Sequence, residues 1–462
     1  MASISSMHSS LLQQPLSPIA EYLSSPMLSL SILAILEFQV PIHTLDLVSN
    51  LRRLFLPINP RFSSILVTNE KGEKKWERVN VEVEEHVKDP IFPSGLTTEL
   101  YKAYFDEYLT KISMEKLQPD KPLWEAHLFK YQTSPSVAGT MVLKLHHSLG
   151  DGYSLMGVVL SCLHTASDPN APLTFPSRRQ RGYNNSVVKS LTRIVSAVCR
   201  TTSDLGWSIL KGIDEKTPIR SGREGLELMP MNTFTVSFSL NDIKQIKTKL
   251  KVTVNDVITG IIFMGLRLYM EEMEKNSGEV AATALTIVNT RVIGSYRPAT
   301  EMAKPESKGL WGNQLSYLEI MIPKMTNTNP LEFVMAAHRS INNKRTSFTL
   351  HVMAHLLNLL RKLRGHQEVA KFLHNLLKNT TTLISNVIGP LQQMALDNHP
   401  ISGLYFTIVG IPQSVTITVF SYMGNLRVAF RTEKDFIDAQ KLNSCMEDAF
   451  HRISKTANEI PV

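Results

Sequence analysis

One segment combines residue types and a spacing that can do chemistry: Leu143-Lys144-Leu145-His146-His147-Ser148-Leu149-Gly150-Asp151-Gly152. An apolar run ends in two histidines, then a small-residue turn, an aspartate and a glycine, and a new apolar stretch follows. A histidine held there can act as a general base near neutral pH, because its unperturbed pKa is about 6.5. Asp151 can turn back to fix the loop, most simply by pairing with an arginine. Gly150 and Gly152 read as places where a side chain would block a backbone angle or a close approach. The plainer reading is two hydrogen-bonded histidines at a strand end, with Asp151 as an N-cap. A strand–turn–helix context favours the chemical one, because such turns hold side chains firmly while leaving them open to a cleft.

The elements around this segment follow from periodicity. Residues 29–42 read as extended and 44–55 as a helix. A helix is expected over 97–117, strands over 124–131 and 138–145, and a helix from about 153 to 165. The strand before the histidines is almost wholly apolar, as a central buried strand would be. Helices are expected over 240–250, with Asn241 and Asp242 as starters, and over 254–274 and 330–345, with a strand over 281–289. Past residue 381 the chain reads as mostly β. Strands 415–421 and 426–431 flank Gly424-Asn425, whose leading glycine predicts a type II′ hairpin turn. A helix over 435–456 closes the chain. Two α/β units of similar size result: 1–175, with the histidines, and 231–462, joined by a basic crossover over 176–230.

The chain has 462 residues, 43% hydrophobic and 19% charged, which excludes a disordered polymer and fits a globular protein with a large core. Forty-nine basic against 41 acidic residues give +8, favouring anionic partners such as acidic lipid or a phosphorylated cofactor. Neither a dense basic block nor a zinc-finger or RNP-type pattern supports nucleic acid. Cys162, Cys199 and Cys445 are odd in number and far apart, so neither a disulfide framework nor a metal site is expected. The best apolar run, 27–36, is closed by Glu37 and Gln39 and is shorter than the roughly 20 residues a spanning helix needs. Two stretches read as ordinary packed helices or as interfacial ones: the basic amphipathic 186–200, followed by Trp207, and the leucine- and arginine-rich 351–378.

The histidine string resembles the HHxxxDG signature of the bifunctional wax ester synthase/diacylglycerol acyltransferases, within the chloramphenicol-acetyltransferase-like superfamily. Other stretches agree in order along nearly the whole chain. Pro15-Leu16-Ser17-Pro18 resembles the family's PLSP, Pro122-Leu123-Trp124 its PLW motif, and Asn255-Asp256 its ND motif. Val288-Asn289-Thr290-Arg291, Gly312-Asn313 and Ser385-Asn386-Val387-Ile388-Gly389-Pro390 resemble its C-terminal half, and the set is most similar to the plant branch.

The resemblance implies an α/β fold of two chloramphenicol-acetyltransferase-like domains, each a mixed sheet with packed helices, and an active site at their interface. It implies transfer of a fatty acyl group from acyl-CoA, a co-substrate, to a long-chain alcohol or to diacylglycerol, with neither cofactor nor metal. By that analogy His147 is the proton acceptor, His146 supports the loop, Asp151 organises it beside Gly152, and Arg291 is Asp151's partner. Asn255 and Asp256 cap a helix or shape the channel, and Asn289 and Arg291 lie near the cleft or are surface residues. Trp124 reads as core. The expected location is the cytosolic face of the endoplasmic reticulum membrane, or the plasma membrane, with peripheral contact. Two alternatives stand beside this reading. One is an acyltransferase for another alcohol such as a phenolic, although the DFGWG string of those enzymes is absent. The other is a non-catalytic, lipid-binding peripheral membrane protein.

Overall fold

The computed structural model describes residues 18–25, 28–70, 74–171, 173–175, 212–291, 298–304, 307, 310–325, 329–345, 359 and 362–460. Residues 15–17 of the PLSP string, Cys199, the 186–200 stretch with Trp207, and nearly all of 351–361 lie outside these.

Strand β1 (Ser31–Phe38) is apolar in all but two of its residues and almost entirely buried, the pattern of a strand covered on both faces. Helix α1 (Thr44–Asn50) follows and runs directly into a single π-helical turn, Leu51–Phe55. Short strand β2 (Val87–Lys88), helix α2 (Thr98–Met114), and strands β3 (Trp124–Phe129) and β4 (Gly139–His146) come next. Helix α3 (Gly152–Ser161) ends before the expected residue 165, because His164–Thr165 leave it as edge strand β5. The C-terminal half begins with strand β6 (Met231–Ser239), helix α4 (Leu240–Leu250) and helix α5 (Val254–Met273). Strands β7 (Thr283–Asn289) and β8 (Leu315–Met321), helices α6 (Leu331–Arg345) and α7 (His366–Asn379), and strand β9 (Thr382–Val387) follow. Strands β10 (Met394–Leu396), β11 (His399–Val409), β12 (Val415–Tyr422) and β13 (Asn425–Glu433) and helix α8 (Ala439–Asn458) complete the chain.

These strands form two principal sheets. The first has the order β2-β3-β4-β1-β11-β10-β5, and the second β6-β13-β12-β9-β7-β8. In the second, β9 runs parallel to both β7 and β12, while the sheet's other pairs are antiparallel. Strands β10 and β11 belong to the C-terminal half by sequence but pair in the first sheet, where Tyr405 lies opposite Ile35 and Ile408 opposite Ile32. The sheets therefore do not follow the linear division at residue 230.

Three apolar clusters fill the space. One packs α1 and α3 on the first sheet and takes in Leu285, Leu383 and Phe420 from the second. Another lies between the second sheet and α4, α5, α6 and α8. The third sandwiches α2 against the first sheet and reaches Ala429 of β13. Both halves therefore share buried surface.

Local chemistry departs from expectation at two places. Tyr422 pairs with Asn425, so the two-residue hairpin loop is Met423-Gly424, one position earlier than expected. Both residues have positive φ, 49° and 77°, the type I′ geometry rather than II′. Helix α4 is capped by Ser239, which accepts from the Asp242 amide, rather than by Asn241 or Asp242.

Candidate active site

The loop between β4 and α3 is fixed from within and from the opposite half. Strand β4 ends where the His147 amide donates to the Leu30 carbonyl at 2.9 Å and the Leu149 amide turns back to the His146 carbonyl at 3.0 Å. Asp151 starts α3 as its N-cap, accepting from the Ser154 amide through Oδ1 at 3.0 Å. A cap of this kind is worth about 1 kcal/mol. Gly150 and Gly152 both avoid the left-handed region. A Cβ at Gly150 would meet Ser154 Cβ at 3.0 Å, a close approach of the expected kind. A Cβ at Gly152 would only touch Val387 at 3.8 Å, so neither the expected angle nor a tight approach explains that glycine.

Asp151 Oδ2 faces the second half. It accepts from Arg291 Nη1 at 2.6 Å and from the Gln314 amide at 2.9 Å. Both side chains of this ion pair are almost fully buried. Burying two charges is favourable only when every remaining donor and acceptor is satisfied. Arg291 meets that condition. Its Nε donates to Leu310 O at 2.7 Å, Nη1 also to Asn289 Oδ1 at 3.2 Å, and Nη2 to Gly312 O at 2.6 Å and Ser154 Oγ at 3.0 Å. The guanidinium also stacks on the Tyr153 ring, 5.3 Å from its centroid. Gly312 has φ +100°, a conformation in which a side chain would be strained, and Arg291 and Ser154 both bond its carbonyl.

Sheet geometry brings these groups together. Asn289 ends β7 and pairs with Leu315 at the start of the adjacent antiparallel β8, so the residues just after β7 and just before β8 emerge side by side. Arg291 and the 310–314 segment thereby reach across to the histidine loop.

The two histidines have opposite surroundings. His146 Nδ1 accepts from the Ser148 amide at 3.1 Å and meets Ser148 Oγ at 2.8 Å, while its Nε2 lies 3.3 Å from Ser29 Oγ. Burial pushes its pKa down to about 3, with the neighbouring His147 adding to the effect. His147 is buried as well, with Nδ1 2.8 Å from Asn313 Oδ1. Burial lowers its pKa below the ordinary histidine value, while Asp151 and the Asn313 contact oppose the shift. The net effect favours the neutral ring over the imidazolium.

The other residues singled out by sequence divide between the site and the frame around it. Asn289 holds Arg291 through its side-chain oxygen, which also accepts from the Arg291 amide at 2.9 Å. Asn255 Oδ1 accepts from Asn386 Nδ2 of β9 at 2.9 Å. Asp256 completes a capping box with Thr253 and accepts from His338 Nδ1 of α6 at 2.8 Å. No described contact joins Asn255 or Asp256 to His147. Trp124 is fully buried, donates to Phe62 O at 2.9 Å and stacks on His86. Ser154, Gln314 and the contact between Asn313 and His147 escaped sequence reasoning: a serine one turn into a helix and a lone Gly-Asn pair carry no chemical signal.

Comparison with known proteins gives the arrangement its context. Residues 52–258 match the model of the wax ester synthase/diacylglycerol acyltransferase catalytic domain, and residues 311–454 that of the family's C-terminal domain. Wax ester synthase/diacylglycerol acyltransferase 9 of Arabidopsis thaliana is 30% identical over 467 residues, covering 95% of this chain and 94% of that protein. Wax ester synthase/diacylglycerol acyltransferase 4 of the same plant is 27% identical over 472 residues, covering 96% and 90%. Among solved structures, the wax ester synthase/diacylglycerol acyltransferase of Marinobacter aquaeolei VT8 superposes with a TM-score of 0.60 at 15% identity, covering 96% of this chain and all of that one. The trichothecene 15-O-acetyltransferase of Fusarium sporotrichioides gives a TM-score of 0.58 at 10% identity, covering 96% and 94%. At such identities the likeness speaks for the fold, the two-domain architecture of chloramphenicol-acetyltransferase-like enzymes. Family-model matches in both halves, together with relatives aligned over nearly the full length, show that the chain belongs to the wax ester synthase/diacylglycerol acyltransferase family of acyl-CoA-dependent O-acyltransferases.

Proposed function

We propose that the protein moves a fatty acyl group from acyl-CoA to a long-chain alcohol, to diacylglycerol, or to both, with His147 Nε2 as the base. One observation carries this reading: His147 is buried, its Nδ1 is engaged, and its Nε2 has no hydrogen-bond partner among the described residues. The acceptor hydroxyl gives its proton to Nε2 as its oxygen attacks the thioester carbonyl. The tetrahedral adduct collapses to the ester and expels the CoA thiolate, which takes the proton back from the imidazolium. No covalent enzyme intermediate is needed. Proton transfer of this kind contributes typically 10²–10⁴-fold, and holding both substrates in line adds to it.

In this reading the Asp151–Arg291 pair organises the site without touching substrate, and His146 supports the loop as a neutral hydrogen-bonded ring. Contact with the cytosolic face of the endoplasmic reticulum or the plasma membrane belongs to the same proposal. Exposed Leu359 and Leu363, four positions apart in a stretch that also carries Lys362 and Arg364, support it. The described residues include no single helix long and apolar enough to cross a membrane.

The test of the acceptor uses purified protein with labelled palmitoyl-CoA and either hexadecanol or diacylglycerol. Wax ester alone means a narrow acceptor channel, and triacylglycerol as well means a wider one. Absence of both products would contradict the proposed acceptors.

A further inference from the structure

The catalytic loop lies in the first half of the chain, yet the only described side chain that contacts the His147 ring by hydrogen bond comes from the second. Asn313 makes two bonds to this one residue. Its Oδ1 lies 2.8 Å from His147 Nδ1, and its Nδ2 donates to the His147 backbone carbonyl at 2.8 Å. The pair defines the amide's orientation. Turning it over would set Oδ1 against a carbonyl oxygen, two acceptors facing each other. With the amide so fixed, its oxygen can only accept, so His147 Nδ1 must carry the proton. The second nitrogen, Nε2, is then left with its lone pair. His146 takes the opposite tautomer, because its Nδ1 accepts from the Ser148 amide.

We infer that Asn313 is a positioning residue that sets the tautomer and ring orientation of His147 across the boundary between the halves. This inference rests on His147 being the base. The segment carrying Asn313 is itself pinned by the buried ion pair, since Gly312 O accepts from Arg291 and the Gln314 amide donates to Asp151. Both neighbours of Asn313 are thus tied to Asp151–Arg291. The ion pair acts on the base by holding the strip from which Asn313 reaches it.

Two variants test this. Asn313→Leu removes both bonds and frees the ring to rotate and change tautomer. A loss of about 10² in kcat is expected, the scale of a small misplacement at a reacting centre, with little change in KM for palmitoyl-CoA. Asn313→Asp keeps an acceptor at Nδ1 and makes it anionic, which stabilises the imidazolium, while giving up the bond from Nδ2 to the His147 carbonyl. The acid limb of its kcat/KM profile should move up by about one pH unit or more relative to wild type. A residue that merely supported the fold would not move that limb. If Asn313→Leu fails to fold, the Asn313→Asp profile decides alone. Full kcat in folded Asn313→Leu, or an unshifted limb in Asn313→Asp, would overturn the inference while His147→Ala is inactive. Transfer surviving in His147→Ala would instead overturn the assignment of the base itself.

Discussion

At the scale of single residues, the site depends on burial keeping two adjacent imidazoles neutral. To act as the proposed base His147 must be unprotonated, and burial lowers its pKa. The rate should therefore rise with pH along an acid limb lying below the ordinary histidine value of about 6.5, then level off, as a kcat/KM profile would show. The same burial costs stability in acid. His146 titrates at about 3 when folded, against about 6.5 when unfolded, so between those values the unfolded chain binds more protons. Stability is complete above a pH of about 6.5 and falls as pH drops toward about 3. Urea unfolding at several pH values should show that slope, and His146→Gln should flatten it. The Asp151–Arg291 pair has a different vulnerability. Asp151→Asn leaves a buried guanidinium without its counter-charge, a change that costs about 3–5 kcal/mol, so unfolding free energy and activity should fall together. The pair could be named from the sequence only through the family resemblance, because the two residues lie 140 positions apart. Asn313 falls in a string that shares the resemblance, but no role follows from the string alone.

At the scale of elements, periodicity marks most helices and strands well because their apolar faces are broad. Helix α5 is buried along nearly its whole length and could not be mistaken. What periodicity misses is local chemistry at the ends. The hairpin loop is displaced by one residue because Met423 accepts a positive φ, a conformation composition does not advertise. Helix α3 stops early because the 164–165 pair is drawn into the sheet beside β10, a tertiary effect. Close helix contacts are equally silent in sequence. Gly260 of α5 lies against the backbone of α6, where a Cβ would come within 2.7 Å of Val334 Cα. Gly260→Ala must push the two helices apart, and a thermal melt should show a loss of about 1–3 kcal/mol, the usual cost of overpacking.

At the scale of the whole molecule, the sequence reads as two successive α/β units, but the sheets are interlocked. Strand β11 pairs antiparallel with β1 over almost its full length, from Ile401 opposite Phe38 to Val409 opposite Ser31. No local pattern reveals that a strand near the C-terminus will pair with one near the N-terminus. Glu37 of β1 and Arg427 of β13 add an ion pair between the sheets at 2.8 Å. A fragment of residues 1–230 would lack β10 and β11 and expose the edge of β1, an apolar strand ready to pair with another chain. It should aggregate when expressed alone, and recovery of a soluble, cooperatively folding fragment would contradict the interlocking. The interlock also explains why a loop in one half can be held by residues of the other.

Whether His147 is the base is decided by steady-state transfer from palmitoyl-CoA to hexadecanol, measured for wild-type protein and for His147→Ala, with folding of the variant checked by circular dichroism. If His147 accepts the proton, folded His147→Ala loses about 10²–10⁴-fold in kcat. Transfer at the wild-type rate would show that another group does the work.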